Sequence, residues 1–160
     1  MKEVSITLQI GVCGYAELGE KDRNLADAAL EASRRSYAPY SRFSVGAAVR
    51  LANGVVLQGS NQENAAFPSG MCAERNVLFH AGTMYPEVEI TDMAIVARGS
   101  GGITTHPCTP CGSCRQVMQE CEMRQGGKPI RLILCGKDEC YVVNDGMKAL
   151  LPLGFSEIKS

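Results

Sequence analysis

Val45-Gly46-Ala47-Ala48-Val49-Arg50-Leu51, then Ala52-Asn53-Gly54, then Val55-Val56-Leu57-Gln58, is the stretch from which the rest of the chain can be ordered. Val45, Ala47, Val49 and Leu51 alternate with Gly46, Ala48 and Arg50, the two-residue period of a strand. Asn53-Gly54 predicts a hairpin turn, because both residues tolerate positive φ. Residues 55–58 then return as a second strand. Upstream, Leu25, Ala28, Ala29 and Ala32 recur at helical spacing over residues 22–36, and Pro39 closes that region. Downstream, a loop of small and polar residues over 59–70 leads to a helix over 72–81, which Gly82 is expected to stop. Residues 93–97 read as an apolar strand, and 99–109 as a Gly/Thr-rich loop. Pro110 suits the first turn of a helix running to about Arg124. Strands over 130–135 and 141–143 and a helical turn over 146–151 complete the order. An α/β fold follows, a three-layer α/β/α sandwich around a mixed sheet of about five strands.

The chain has 160 residues, enough for one domain with a real core. Sixteen basic and seventeen acidic residues leave a net charge of −1, with no basic cluster, so a nucleic-acid partner is not expected. A small uncharged molecule suits this balance better. The N-terminus, Met1-Lys2-Glu3-Val4-Ser5, lacks the apolar run of a signal peptide. No apolar stretch approaches the ~20 residues of a membrane span. Eight cysteines without a secretion signal point to the cytoplasm and to metal ligation rather than disulfides. Cys13, Cys121, Cys135 and Cys140 stand apart and read as small buried hydrophobes.

Cys72-Ala73-Glu74 and Pro110-Cys111-Gly112-Ser113-Cys114 both fall where a loop becomes a helix. At a first helical turn, residues two apart can still converge on a point beyond the helix end. Cys111 and Cys114 share a face through their i, i+3 spacing. Two helix starts would aim three thiolates at one ion, and their partial positive charge favours the thiolate form. Three soft ligands suit zinc, leaving one position open. Glu74, two residues from a ligand, is placed to move protons. Three thiolates on one divalent ion also leave excess negative charge, so a cation should touch a ligand sulfur. Arg75 is expected there ahead of Arg115. Cys108 gives a second, overlapping C-x-x-C with Cys111, so a closed Cys₄ site using Cys72, Cys108, Cys111 and Cys114 is the alternative. Pro110 favours Cys111 and Cys114, leaving Cys108 as a loop thiol. His80 and His106 lack ligand spacing to the cluster.

With Asn61-Gln62-Glu63-Asn64-Ala65 just upstream, the chain resembles the cytidine deaminase family, the small homotetrameric kind, from about Tyr40 to Phe155. The shared signatures are Tyr40-Ser41-Arg42-Phe43-Ser44-Val45-Gly46, Asn61-x-Glu63-Asn64-Ala65, Cys72-Ala73-Glu74-Arg75 and Pro110-Cys111-Gly112-x-Cys114-Arg115-Gln116-Val117. A cysteine- or histidine-led layout of this kind is a recorded zinc deaminase signature. The resemblance implies one zinc per subunit on Cys72, Cys111 and Cys114. It implies hydrolysis of cytidine and deoxycytidine to the uridine forms and ammonia, with Glu74 as proton shuttle. Phe43 would pack near the base. Asn61 and Glu63 would grip the ribose 3′-hydroxyl. The Ala73 N–H would donate to the pyrimidine O2, and the Thr109 carbonyl would accept from the leaving amine. Phe155 would reach a neighbouring subunit's site in a homotetramer.

Many family members carry Tyr where Phe67 stands, so a hydroxyl contact is absent there. Residues 1–20 lie outside the motif-bearing core and read as an N-terminal extension, with residues 21–160 as one catalytic domain. Two other readings stay open: a deaminase of another cytosine-containing nucleoside, such as a nucleoside antibiotic, and a zinc-stabilised binding module without catalysis. A nucleotide deaminase would need a phosphate cradle, and no basic cluster offers one.

Overall fold

In the computed structural model, which describes residues 1–156, the alternating stretch forms β2 (Ser44–Leu51) and β3 (Val56–Ser60). They pair antiparallel, with Ala47 opposite Gly59 and Val49 opposite Leu57. The turn between them differs in one respect from the simplest reading of Asn53-Gly54. Only Gly54 has positive φ, at 85°, while the Asn53 side chain accepts from the Val55 N–H at 3.1 Å. Leu51 N–H closes the loop on the Val55 carbonyl at 2.9 Å. The connection is therefore a three-residue loop with glycine in the left-handed position.

β4 (Ile90–Gly99) lies antiparallel on the other side of β2. β6 (Arg131–Cys135) lies parallel to β4, and β7 (Cys140–Val143) returns antiparallel beside β6. A parallel neighbour needs a crossover, and α3 (Gly112–Arg124) supplies it. The five expected strands are all present, but the sheet has seven. β1 (Gly11–Cys13) adds to the β7 edge, placing part of the N-terminal extension in the sheet. β5 (Gly102–Ile103) folds back on the end of β4 through a turn in the Gly-rich loop. Strands of two and three residues are too short to leave an alternation in the sequence.

Helices cover both faces. α1 (Glu20–Ser33) packs Leu25, Ala26 and Ala29 against Ala48, Ala94, Val96 and Ile133. α2 (Ala73–Met84), α3 and α4 (Gly146–Leu150) cover the opposite face, over Ala47, Val49, Ile95, Leu132 and Leu134. β2 and β4 are consequently buried on both sides, and their alternation there is between two apolar faces.

Two helix boundaries depart from expectation. α2 runs through Gly82 to Met84, and the Tyr85 N–H still bonds the Ala81 carbonyl at 2.8 Å. A glycine in a last turn costs only about 1 kcal/mol, whereas Pro86 lacks the donor needed to continue. α3 begins at Gly112, with Cys111 at the N-cap, so Pro110 lies just ahead of the helix rather than in its first turn. Glu122, buried on α3, accepts from the Ile130 N–H at 2.9 Å and the Met147 N–H at 3.0 Å, tying the entry to β6 and the start of α4 to one carboxylate.

At Gly59 a side chain has no room. A Cβ there would come within 2.8 Å of both the Ala73 carbonyl oxygen and the Val77 nitrogen. The backbone of β3 thus meets the first turns of α2 directly.

Candidate active site

Cys72 and Cys111 are the N-cap residues of α2 and α3, both with extended backbones. Cys114 follows one turn into α3 and is fully buried, while Cys72 is half-buried and Cys111 exposed. Two chain segments 39 residues apart therefore deliver thiols to one spot, with Cys72 Sγ 3.9 Å from Cys111 Sγ and Cys111 Sγ 3.5 Å from Cys114 Sγ. All three sulfurs lie within 4.8 Å of one another. A tetrahedral zinc with sulfur at its usual bond length would hold its ligands roughly 3.8 Å apart, so the arrangement fits the ion. Cys72, Cys111 and Cys114 form a group able to hold a zinc ion.

Cys108 is not part of this group among the described residues. Its sulfur makes a weak contact with the Thr109 carbonyl at 3.9 Å, and burial pushes its thiol up to about 11. A closed four-cysteine site is thus not assembled. His80 and His106 are exposed, and His106 Nδ1 lies 3.1 Å from Glu139 Oε1.

The charges around the thiols divide the labour. Arg75 Nη2 donates to Cys72 Sγ at 3.6 Å, one turn along from the ligand. Arg115 is spent on backbone: its Nε bonds the Pro110 carbonyl and its Nη1 the Leu150 carbonyl, each at 2.8 Å. Hydrogen bonds from Cys114 and Arg75 lower the Cys72 thiol to about 5, outweighing its partial burial. The Cys114 thiol is pushed up by its interaction with Cys72 and by burial. Glu74 is buried beside the thiols, and desolvation, reinforced by the charge of Cys72, raises its carboxyl above the ordinary range. A carboxyl held nearer to neutral pH is suited to accepting and returning protons.

The segment holding Asn61 and Glu63 is tied to the approach to Cys72 by backbone pairing. Gln62 bridges to Met71, the residue before Cys72, with N–H···O distances of 2.9 and 2.8 Å. Asn61 and Glu63 flank that bridge. Asn61 Oδ1 accepts from the Val45 N–H at 2.8 Å, and its Nδ2 donates to the Phe43 carbonyl at 2.9 Å. Glu63 Oε2 accepts from the Tyr40 and Ser41 N–H groups at 2.9 and 3.2 Å, and Oε1 accepts from the Ser41 hydroxyl. These bonds, led by that from Ser41, hold the Glu63 carboxyl below its usual value. Phe43 is exposed, and Phe67 packs on Tyr40 with ring centroids 5.9 Å apart.

Ala73 opens α2, where first-turn N–H groups have no partner within the helix. Thr109 sits exposed in the segment before Cys111. Phe155 projects at 65% exposure, its carbonyl accepting from Gln116 Nε2 at 2.7 Å. In the sequence, Ser41 stands out only as one position of a signature. Its spacing to Phe43 and its bond across 22 residues to Glu63 give it a place here that only the fold reveals.

Residues 19–126 match the model of the cytidine and deoxycytidylate deaminase zinc-binding region. The chain is similar to the cytidine deaminase of Sporosarcina psychrophila, at 35% identity over 79% of this chain and 85% of the relative. It is 45% identical to that of Halalkalibacterium halodurans over 58% of this chain and 65% of the relative, just under two thirds of that protein's length. Among solved structures, a cytidine deaminase from Burkholderia pseudomallei aligns with a TM-score of 0.70 at 35% identity, covering 86% of this chain and all of that one.

Proposed function

Because the chain belongs to the cytidine and deoxycytidylate deaminase family, we propose that it converts cytidine and 2′-deoxycytidine to uridine and 2′-deoxyuridine, with water consumed and ammonia released. The observation that carries the reading is the meeting of Cys72, Cys111 and Cys114 with the buried Glu74 at two helix starts. Bound zinc would supply Lewis-acid activation of the attacking water. Glu74 takes a proton from that water and hands it to N3 of the pyrimidine, which makes C4 more electrophilic. Once water oxygen has added to C4, the emptied carboxylate takes the remaining proton of that hydroxyl and delivers it to the amino nitrogen, so that the C4–N bond breaks and ammonia leaves as the C4 carbonyl forms. Burial of Glu74 excludes bulk water and lifts its proton affinity, which supports this role.

The first-turn N–H of Ala73 is free to donate to the pyrimidine O2, and the Thr109 carbonyl to accept from the amino group. Phe43 covers the base. Asn61 and Glu63 hold the 3′-hydroxyl, and the negative charge of Glu63 opposes a 3′-phosphodiester, so free nucleosides rather than nucleic acid are the substrates. The exposed ring of Phe155 supports its use in a neighbouring subunit's site within a homotetramer. Residues 21–160 form the catalytic domain, and residues 1–20 are an extension to it. No helix among the described residues is long and apolar enough to cross a membrane, and we place the enzyme in the cytoplasm.

Glu74→Gln keeps the shape of the site and removes the proton shuttle. It should retain zinc by elemental analysis while turnover of cytidine falls by at least about 10³-fold, a loss typical of a proton-transfer group. Near wild-type turnover in that variant would overturn the assignment.

A further inference from the structure

The loop that faces Glu63 does more than support it. Ser41 Oγ accepts from the Phe43 N–H at 3.0 Å and donates its own hydrogen bond to Glu63 Oε1. The hydroxyl has one proton, and that proton is committed. Tyr40 and Ser41 N–H groups occupy Glu63 Oε2. An ionised carboxylate offers about four lone-pair sites. Three are filled from residues 40 and 41, and the remaining one is on Oε1.

The arrangement is held in place rather than incidental. Arg42, between Ser41 and Phe43, adopts φ of 56°, the left-handed region that a side chain ordinarily avoids at a cost of roughly 1–2 kcal/mol. Its N–H bonds the Ala38 carbonyl at 3.1 Å. Asn61 clamps the Phe43 carbonyl from the other side. Phe43, Asn61 and Glu63 thus form one hydrogen-bonded unit, and Ser41 is its hydroxyl link.

We infer that Ser41 is a positioning residue that leaves Glu63 one free acceptor, making the site select nucleosides whose 3′-substituent donates a hydrogen bond. The inference rests on the nucleoside-deaminase reading above. A 3′-hydroxyl fills the remaining lone pair. A 3′-hydrogen leaves it unmet, and a 3′-phosphate or ether cannot donate to it. Without Ser41, the carboxylate keeps only the contacts on Oε2, and Oε1 turns to water.

The test compares cytidine with 3′-deoxycytidine. Ser41→Ala should raise KM for cytidine about tenfold, with kcat within about twofold, because the lost contact binds ground and transition states alike. Its constants for 3′-deoxycytidine should stay within about twofold of wild type. Ser41→Thr, which keeps the hydroxyl, should restore the cytidine KM. An equal rise in KM for both nucleosides would mean general damage to the loop and would reject the inference, as would no rise for cytidine. Should Ser41→Ala lose its folded circular dichroism, Ser41→Cys places a weaker donor at the same point. It must then still show a cytidine-selective rise, and without one the inference fails. Wild-type protein that deaminates neither nucleoside would instead remove the underlying functional reading.

Discussion

The two faces of the sheet hold the same residue types under different conditions. On the α1 face, Cys140 Sγ touches Cys135 Sγ at 2.8 Å, and Arg131 pairs with Asp22 and Asp92 at 2.6 and 3.2 Å. On the α2–α3 face, Cys111 touches Cys72 and Cys114 at longer distances, and Arg75 reaches Cys72. Proximity of thiols therefore does not make a ligand set. Cys135 and Cys140 lie in strands, surrounded by Ala94, Val96 and Ile133, and burial pushes both thiols up. Cys72 and Cys111 lie at helix starts that open to solvent, with a guanidinium on one sulfur. Helix-end polarity and a nearby cation stabilise thiolates where a sheet interior cannot.

The largest contrast should come from one matched pair of variants. Cys111→Ser should lose most of the bound zinc and at least about three orders of magnitude in turnover, since the activated water is lost with the metal. Cys135→Ser should keep zinc content and turnover near wild type. Zinc measured by elemental analysis beside a cytidine assay decides this, and equal zinc loss in both would erase the distinction between the faces.

Arg75→Gln is the intermediate case. A group hydrogen-bonded to a metal ligand typically contributes 10–100-fold to metal affinity. Competition with a chromophoric chelator should show a loss of about that size, with the folded state unchanged. An unaltered affinity would mean that the thiolate charge is offset elsewhere.

Asp22→Asn gives the smallest effect and probes the other guanidinium. The bond from Arg131 holds the Asp22 carboxyl below its reference value of 3.8. Its stabilisation is therefore complete above about pH 4 and fades as pH falls through the lower folded value. The variant should lose about 1–2 kcal/mol at pH 7, discounted for partial exposure of the pair. Denaturant titrations at pH 7 and pH 3 should show the gap closing at the lower pH. Zinc content should not move.

Legibility of the chain followed the range of the interactions. β2 and β3 were readable because strand alternation and Asn53-Gly54 are local signals, and the motif cysteines because helix starts dictate their spacing. Arg75 was expected at a ligand sulfur from charge balance alone. β1 and β5 were not readable, since three and two residues show no period and depend on an edge provided by β7 or β4. The end of α2 was misplaced because glycine weakens a helix by less than the packing of Leu78 and Ala81 supports it. The tie made by Glu122 and the link made by Ser41 join residues 8 to 25 and 22 positions apart, which only the folded chain brings together.

Gly59 sits on the strand that leads to Asn61, and its bare backbone lies against the α2 turns that carry Ala73 and Val77. The gap between the residue proposed to handle protons and those proposed to hold the sugar is thus calibrated by a missing side chain. Widening it by one methyl would lever the Cys72–Glu74 turn away from Asn61 and Glu63 together. On the proposed reading, the reach from ring to ribose is set in β3, at a residue outside the proposed substrate contacts.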